Sequence, residues 1–122
     1  MGERNNDRIL SIKTTGLREW KDNTIEYNRY EATPYFALNK LFNNYKLNKH
    51  DEIVDFGSGR GRVAFYIHNR FQIPVTGIEV NEKTYEEALD NKIRYRLKAK
   101  HIKAPIRFEY GLAEHYEIKA TD

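Results

Sequence analysis

Apolar and polar positions follow two rhythms along this chain, and each change of rhythm marks a structural element. Leu38, Leu41, Phe42 and Tyr45 recur at the three-and-four spacing of one helical face, which predicts a helix from about Pro34 to Tyr45. Thr33-Pro34 supplies its start: a threonine hydroxyl can accept from an orphan backbone N–H, and proline at the first helical position needs no donor. Glu52-Ile53-Val54-Asp55-Phe56 then reads as a short buried strand of β-branched and aromatic residues, stopped at once by a glycine cluster. From Arg60 to about Phe71 the apolar positions Val63, Ile67 and Phe71 return every four residues, a helical period.

The same sequence of elements repeats downstream. Pro74 to Val80 is a second strand, with proline tolerated at its beginning. Asn81 is placed to cap a helix from roughly Glu82 to Lys100, whose buried stripe is expected to be Tyr85, Leu89, Ile93 and Leu97 with Ala88, its other faces carrying lysine and arginine. Ile106 to Tyr110 alternates as a third strand. Residues 1 to about 32 show no clear period beyond a short helix or loop around Asp7 to Ile12. Strands alternating with helices imply an α/β fold with parallel strands and right-handed crossovers.

Composition narrows the class. In 122 residues, 39% hydrophobic and 32% charged, one core can form, and no apolar run approaches the roughly 18 residues of a membrane helix. The chain begins with a polar, charged segment and contains no cysteine, which points to a cytoplasmic setting and excludes disulfides, thiolate metal sites and cysteine nucleophiles. His50, His68, His101 and His115 show no metal-ligand spacing and are read as surface or helix-face residues. A net charge of +3 permits a nucleic-acid partner without demanding one.

The chemistry concentrates in Asp55-Phe56-Gly57-Ser58-Gly59-Arg60-Gly61, between a predicted strand and a predicted helix. A glycine backbone turns sharply there and exposes N–H groups, while the helix that follows directs its orphan donors and positive dipole end to the same place. An anionic or carboxylate-bearing ligand suits such a loop. Glu79, at the end of the second strand, is positioned to accept both hydroxyls of a ribose. The dinucleotide fingerprint asks for glycine at the sixth position counted from Gly57, and Arg62 stands there instead.

Glycines at 57, 59 and 61 behind an acidic residue, with a second acid closing the next strand, resemble the first motifs of the class I S-adenosylmethionine-dependent methyltransferases over roughly Asp51 to Glu114. The resemblance implies a partial Rossmann-like methyltransferase fold with parallel strands in the order 3-2-1, and S-adenosyl-L-methionine as cofactor. Gly57, Ser58, Gly59 and Gly61 would wrap its methionine part, with Asp55 ordering the loop or meeting the ammonium group. Glu79 would take the ribose hydroxyls and Val80 the adenine face. Ala113 and Glu114 would neighbour the adenine, although Leu112 stands where the family often has aspartate. The segment Tyr27 to Tyr35 resembles one that folds over the cofactor in several bacterial members, making Tyr30 and Thr33 contact candidates. Arg60 and Arg62 are left between ligand contact and solvent.

In that family the substrate-orienting motif follows a fourth strand, which residues 1–122 are expected to stop short of. The expectation is therefore one truncated cofactor-binding domain, inactive alone, with 1–50 as a helical or irregular extension and 51–122 as the αβ core. An Asn/Asp-Pro-Pro motif and a Ser/His/Asp arrangement are both lacking, so no catalytic residue is assigned. The methyl acceptor stays open between RNA, protein and small molecule. Self-association through the edge of the first strand is a further expectation, because an apolar edge without internal proline or lysine recruits other strands. Two competing readings remain: a nicotinamide-dependent oxidoreductase fragment, and a noncatalytic nucleotide- or RNA-binding module suggested by the basic helix.

Overall fold

A computed structural model describes residues 3–14 and 32–111. Its elements run α1 (Glu3–Leu10), α2 (Tyr35–Asn44), β1 (Ile53–Phe56), α3 (Arg62–Phe71), β2 (Val75–Glu79), α4 (Glu82–Lys98) and β3 (Ile106–Tyr110). The three strands form one parallel sheet with β2 in the middle, so from one edge to the other the order is 3-2-1. Ile53 pairs with Val75 and Phe56 with Ile78 on one side of β2. On the other side Val75 pairs with Ile106 and Glu79 with Tyr110. This parallel register brings the carboxyl ends of all three strands, and the loops that leave them, to one end of the sheet.

The core lies between one sheet face and the helices. Val75, Ile106 and Phe108 from the sheet pack with Ala64, Phe65 and Ile67 of α3, Ala88 and Tyr95 of α4, Leu38 and Phe42 of α2, Leu10 at the end of α1 and Ile12 just after it. The phenol ring of Tyr95 lies 4.8 Å from Phe65 at a tilt of 51°, and Phe65 in turn lies 5.2 Å from Phe108, within the range of favourable aromatic pairs. Asn81 caps α4 as its sequence suggests, its side-chain oxygen accepting from Thr84 N at 2.9 Å. At the other end of α4, Arg96 donates to the carbonyls of Ala99, Ile102 and Ala104, holding the turn into β3.

Several expectations are corrected. The first helix spans Glu3–Leu10 rather than Asp7 to Ile12. Thr33 does not cap α2: Pro34 occupies the cap position without a side-chain hydrogen bond, and the helix begins at Tyr35. In α2 the buried face is Tyr35, Leu38 and Phe42, whereas Leu41 and Tyr45 are exposed. The helix after the glycine loop starts at Arg62, two residues later than expected, because Gly61 is still left-handed. In α4 the fully buried residues are Thr84, Ala88, Asn91 and Tyr95. Tyr85 and Leu89 pack only partly against the core, and Ile93 and Leu97 are each 66% exposed.

His68 sits on a helix face, and that face is buried. Its Nε2 contacts the Ala104 carbonyl at 2.7 Å, and its Nδ1 lies 2.5 Å from the Tyr95 hydroxyl. A carbonyl can only accept, so Nε2 carries the proton and Nδ1 accepts from Tyr95. Burial lowers the pKa of this imidazole and, for the same reason, pushes the Tyr95 phenol up to about 12.

Candidate functional site

At the end of β1 the chain turns through Gly57, Gly59 and Gly61, all with positive φ, a region that a Cβ disfavours. The N–H groups of Gly57 and Ser58 both donate to the Ile78 carbonyl, at 2.8 and 3.0 Å, folding the loop back over the end of β2. Gly61 N then closes a turn onto Ser58 O at 3.0 Å, and Phe65 N bonds to Gly61 O as α3 begins. Gly61 faces inward: a Cβ there would meet the rings of Phe65 and Phe108.

Gly77, which sequence reasoning passed over, makes room for this loop. A Cβ at 77 would lie 2.7 Å from Ser58 Cβ and 2.8 Å from Phe108 Cδ1. A lone glycine inside a strand is the available signal for such a close approach. Ser58 is buried, and its hydroxyl has no hydrogen-bond partner among the described residues. Ser58→Ala is therefore expected to leave stability unchanged or raise it by up to about 1 kcal/mol, since it removes an unpaired buried group. Thermal unfolding of the two proteins checks this, and a clear loss would reveal a partner for the hydroxyl.

Glu79 joins the loop to the next helix. Its Oε1 accepts from Gly59 N at 2.8 Å and its Oε2 from Asn81 N at 3.0 Å. An ionised carboxylate offers about four acceptor positions, so capacity remains for a ligand's hydroxyls. Val80, the next residue, is exposed. Asp55 stands behind the loop, where burial in the first place and the negative charge of Glu79 in the second push its carboxyl up to about 6.

Asp55, Gly57, Ser58 and Gly59 line a cleft of about 250 Å³ together with Ala32, Thr33, Phe56, Arg62 and Val63. Tyr30, Ala113 and Glu114 lie outside the described residues. No group of three or more histidine, aspartate or glutamate side chains suited to a metal ion is found among the described residues. None of the described helices is long and apolar enough to cross a membrane.

The two arginines of the loop part company, and neither is solvent-exposed. Arg60 turns towards α4, its Nε 3.2 Å from Glu87 Oε1, while its carbonyl accepts from Asn91 Nδ2 at 3.0 Å. Arg62, 3% exposed, lines the cleft. Its Nε donates to Thr14 Oγ1 at 2.7 Å, its Nη1 to the Thr33 carbonyl at 3.3 Å, and its guanidinium lies 4.3 Å above the Tyr35 ring. Asp7 anchors this group: it accepts from Thr14 N, Thr14 Oγ1 and the Tyr35 hydroxyl and lies 3.8 Å from Arg62 Nη2. Burial, reinforced by Asp7, raises the Tyr35 phenol pKa well above its ordinary value. The segments before β1 are thus fastened to the wall of the cleft. Nothing in the spacing of Asp7, Thr14, Tyr35 and Arg62 announces the cluster, because only the fold brings them together.

No protein-family model matches the chain. Among solved structures it is similar to an RNA methyltransferase from Salinibacter ruber in complex with S-adenosyl-L-homocysteine, with a TM-score of 0.59 and 19% identity over 70% of this chain and 53% of that one. It is also similar to the YcgJ protein from Bacillus subtilis, with a TM-score of 0.52 and 19% identity over 69% of this chain and 33% of that one. The fold is a partial Rossmann-like methyltransferase fold. The chain spans about half the length of the first of these proteins and about a third of the second.

Proposed function

We propose that this chain is the S-adenosyl-L-methionine-binding part of a methyltransferase. The observation that carries the reading is the tie between the glycine loop and Glu79, with Asp55 and Arg62 both lining the cleft beside it. An amino-acid moiety is a zwitterion, and this cleft offers it a carboxylate, a guanidinium and glycine backbone. In the proposed complex Asp55 meets the ammonium group, Arg62 faces the carboxylate, and Glu79 accepts the ribose hydroxyls with Val80 near the adenine. Thr33, Tyr30, Ala113 and Glu114 remain contact candidates. Bound there, the cofactor supplies an electrophilic methyl group on a sulfonium. The chain's own part is alignment, which is most of what such a transfer needs.

The RNA methyltransferase likeness supports the cofactor more than any acceptor, and RNA, protein and small molecules all remain within the proposal. A cytoplasmic setting belongs to it as well, on the cysteine-free composition. The nicotinamide alternative is not favoured, because Arg62 fills the position where a dinucleotide fold packs a glycine. The noncatalytic RNA module is not favoured either, as its motivating basic residues lie on α4 away from the cleft.

Calorimetric titration with S-adenosylhomocysteine, NAD and a short RNA in parallel tests the reading. S-adenosylhomocysteine is expected to bind in preference to the other two. Glu79→Ala is expected to weaken it at least about tenfold, since charge-assisted hydrogen bonds contribute about 1.5 to 3 kcal/mol each. Preference for NAD or RNA, or unchanged affinity in a folded Glu79→Ala protein, would overturn the reading.

A further inference from the structure

Residues that precede β1 surround a cleft residue that belongs to α3. Arg62 lines the cleft beside Asp55, and its guanidinium is held from the upstream side. Its Nε donates to Thr14 Oγ1 at 2.7 Å, its Nη1 to the Thr33 carbonyl, and the ring of Tyr35 lies beneath it. Asp7 stands one step further back. Its Oδ1 accepts from Thr14 Oγ1 at 2.7 Å and from the Tyr35 hydroxyl, and its carboxylate lies 3.8 Å from Arg62 Nη2. The Thr14 hydroxyl is therefore a bridge: it receives from Arg62 and gives its single proton to Asp7, which fixes the direction of both bonds. Asp7, Thr14, Tyr35 and Arg62 are each at most 4% exposed, a setting in which hydrogen bonds between charged groups are weakly screened.

We infer that Asp7 is a positioning residue: through Thr14 it holds Arg62 in the attitude that receives the ligand's carboxylate, so that docking of residues 3–14 and recognition of the amino-acid end are coupled. This rests on the cofactor reading above. The two ends of S-adenosylhomocysteine then depend on different parts of the chain. Its ribose meets Glu79, whose place is set by β2 and by the glycine loop. Its carboxylate meets a guanidinium aimed by α1 and the residues that follow it, and a group aimed before the ligand arrives spares the ordering cost of binding. The coupling is reciprocal, because whatever docking of the segment adds to affinity the bound ligand returns to docking. The segment also has anchors that do not involve the Asp7 side chain. Leu10 and Ile12 lie in the core, the Lys13 backbone exchanges hydrogen bonds with Asn91, and Lys98 Nζ donates to the carbonyls of Arg8 and Ile9. A change at Asp7 or Thr14 thus loosens Arg62 without detaching α1.

The probe that isolates the amino-acid end is methylthioadenosine, which has the adenosine and sulfur of S-adenosylhomocysteine but neither its carboxylate nor its ammonium group. In calorimetry Asp7→Asn and Thr14→Val should each weaken S-adenosylhomocysteine at least about tenfold and leave methylthioadenosine within about twofold of wild type. Thr14→Val keeps the volume and loses the hydroxyl, whereas Thr14→Ser keeps the hydroxyl and loses a buried methyl. Affinity for S-adenosylhomocysteine should follow the hydroxyl, with Thr14→Ser close to wild type, a pattern that a merely structural role would not give. Amide exchange at Lys13 and Thr14 should slow by about tenfold when the wild-type chain is saturated with S-adenosylhomocysteine, and not with methylthioadenosine. Equal weakening of both ligands, or a Thr14→Ser protein as impaired as Thr14→Val, would overturn the inference and leave the cofactor reading standing. Exchange indifferent to S-adenosylhomocysteine would do the same. A wild-type chain that binds neither ligand would overturn the reading itself, and the inference with it.

Discussion

Gly61→Ala is expected to destabilise the protein by about 2 to 6 kcal/mol, a large share of a domain stability on the order of 5 to 15 kcal/mol. Two costs add. The backbone at 61 has φ of +101°, and holding an L-residue in such a conformation costs about 1 to 3 kcal/mol. The new methyl would also stand 2.6 Å from Phe65 Cε2 and 2.9 Å from Phe108 Cζ. Both rings are buried in the core, so relieving the overlap means repacking it, at about 1 to 3 kcal/mol. Gly57 separates the two terms. Its φ is +74°, but a Cβ there would meet nothing within 4 Å, so Gly57→Ala should cost only about 1 to 2 kcal/mol. Denaturant unfolding of both variants checks the pair. Equal losses would mean that backbone strain alone governs the loop.

The contrast between these glycines also shows what a sequence can reveal. Strand, glycine turn and helix are written in neighbouring residues, so β1, the loop and α3 were legible, as was the Asn81 cap of α4. Glu79 was readable as the acid closing β2, because its place depends on strand length alone. Its grip on Gly59 N was not, since that depends on how the loop lies. The facing of α4 failed for a geometrical reason. Positions four apart advance about 40° around a helix at each step, so Tyr85, Leu89, Ile93 and Leu97 drift by about 120° from the flank of the core to the outside.

What stayed hidden is carried by contacts between distant residues. Asn91 is a polar residue on a helix, and its sequence gives no reason to bury it. In the fold it exchanges hydrogen bonds with the backbone of Lys13 and supports the Arg60 carbonyl. Arg62 looks like a surface residue at a helix start until Asp7, Thr14 and Tyr35 surround it. Such groups are tolerated in a core only when their hydrogen bonds are satisfied, and the satisfying partners come from a separate segment. Thr33 illustrates the same point: its hydroxyl was the expected cap, yet the carbonyl is the group the fold uses, as an acceptor for Arg62.

Asp55→Asn is expected to make the unliganded protein more stable at neutral pH while removing most of its ligand affinity. The carboxyl is held at about 6 against an ordinary 3.8, so the folded state binds this proton more tightly than the unfolded chain does. Its contribution to stability is consequently best below the unfolded pKa, declines as pH rises from about 4 to 6, and settles above that range at a penalty of about 3 kcal/mol. An uncharged asparagine avoids the penalty. The variant should gain about 2 to 3 kcal/mol at pH 7.5 and almost nothing at pH 3.5, where the wild-type carboxyl is already protonated. The same residue explains why a protein would keep a destabilising charge beside a cleft. An ammonium group brought to Asp55 favours its ionised form and offsets the burial that opposed it. Affinity for S-adenosylhomocysteine should therefore fall as pH drops through about 6 in the wild type and be at least about tenfold weaker, with little pH dependence across that range, in Asp55→Asn. Thermal unfolding at the two pH values, with calorimetry on both proteins, checks each half separately. A variant less stable at pH 7.5 would mean that ionised Asp55 supports the loop, and unchanged affinity would remove it from the ligand's amino end.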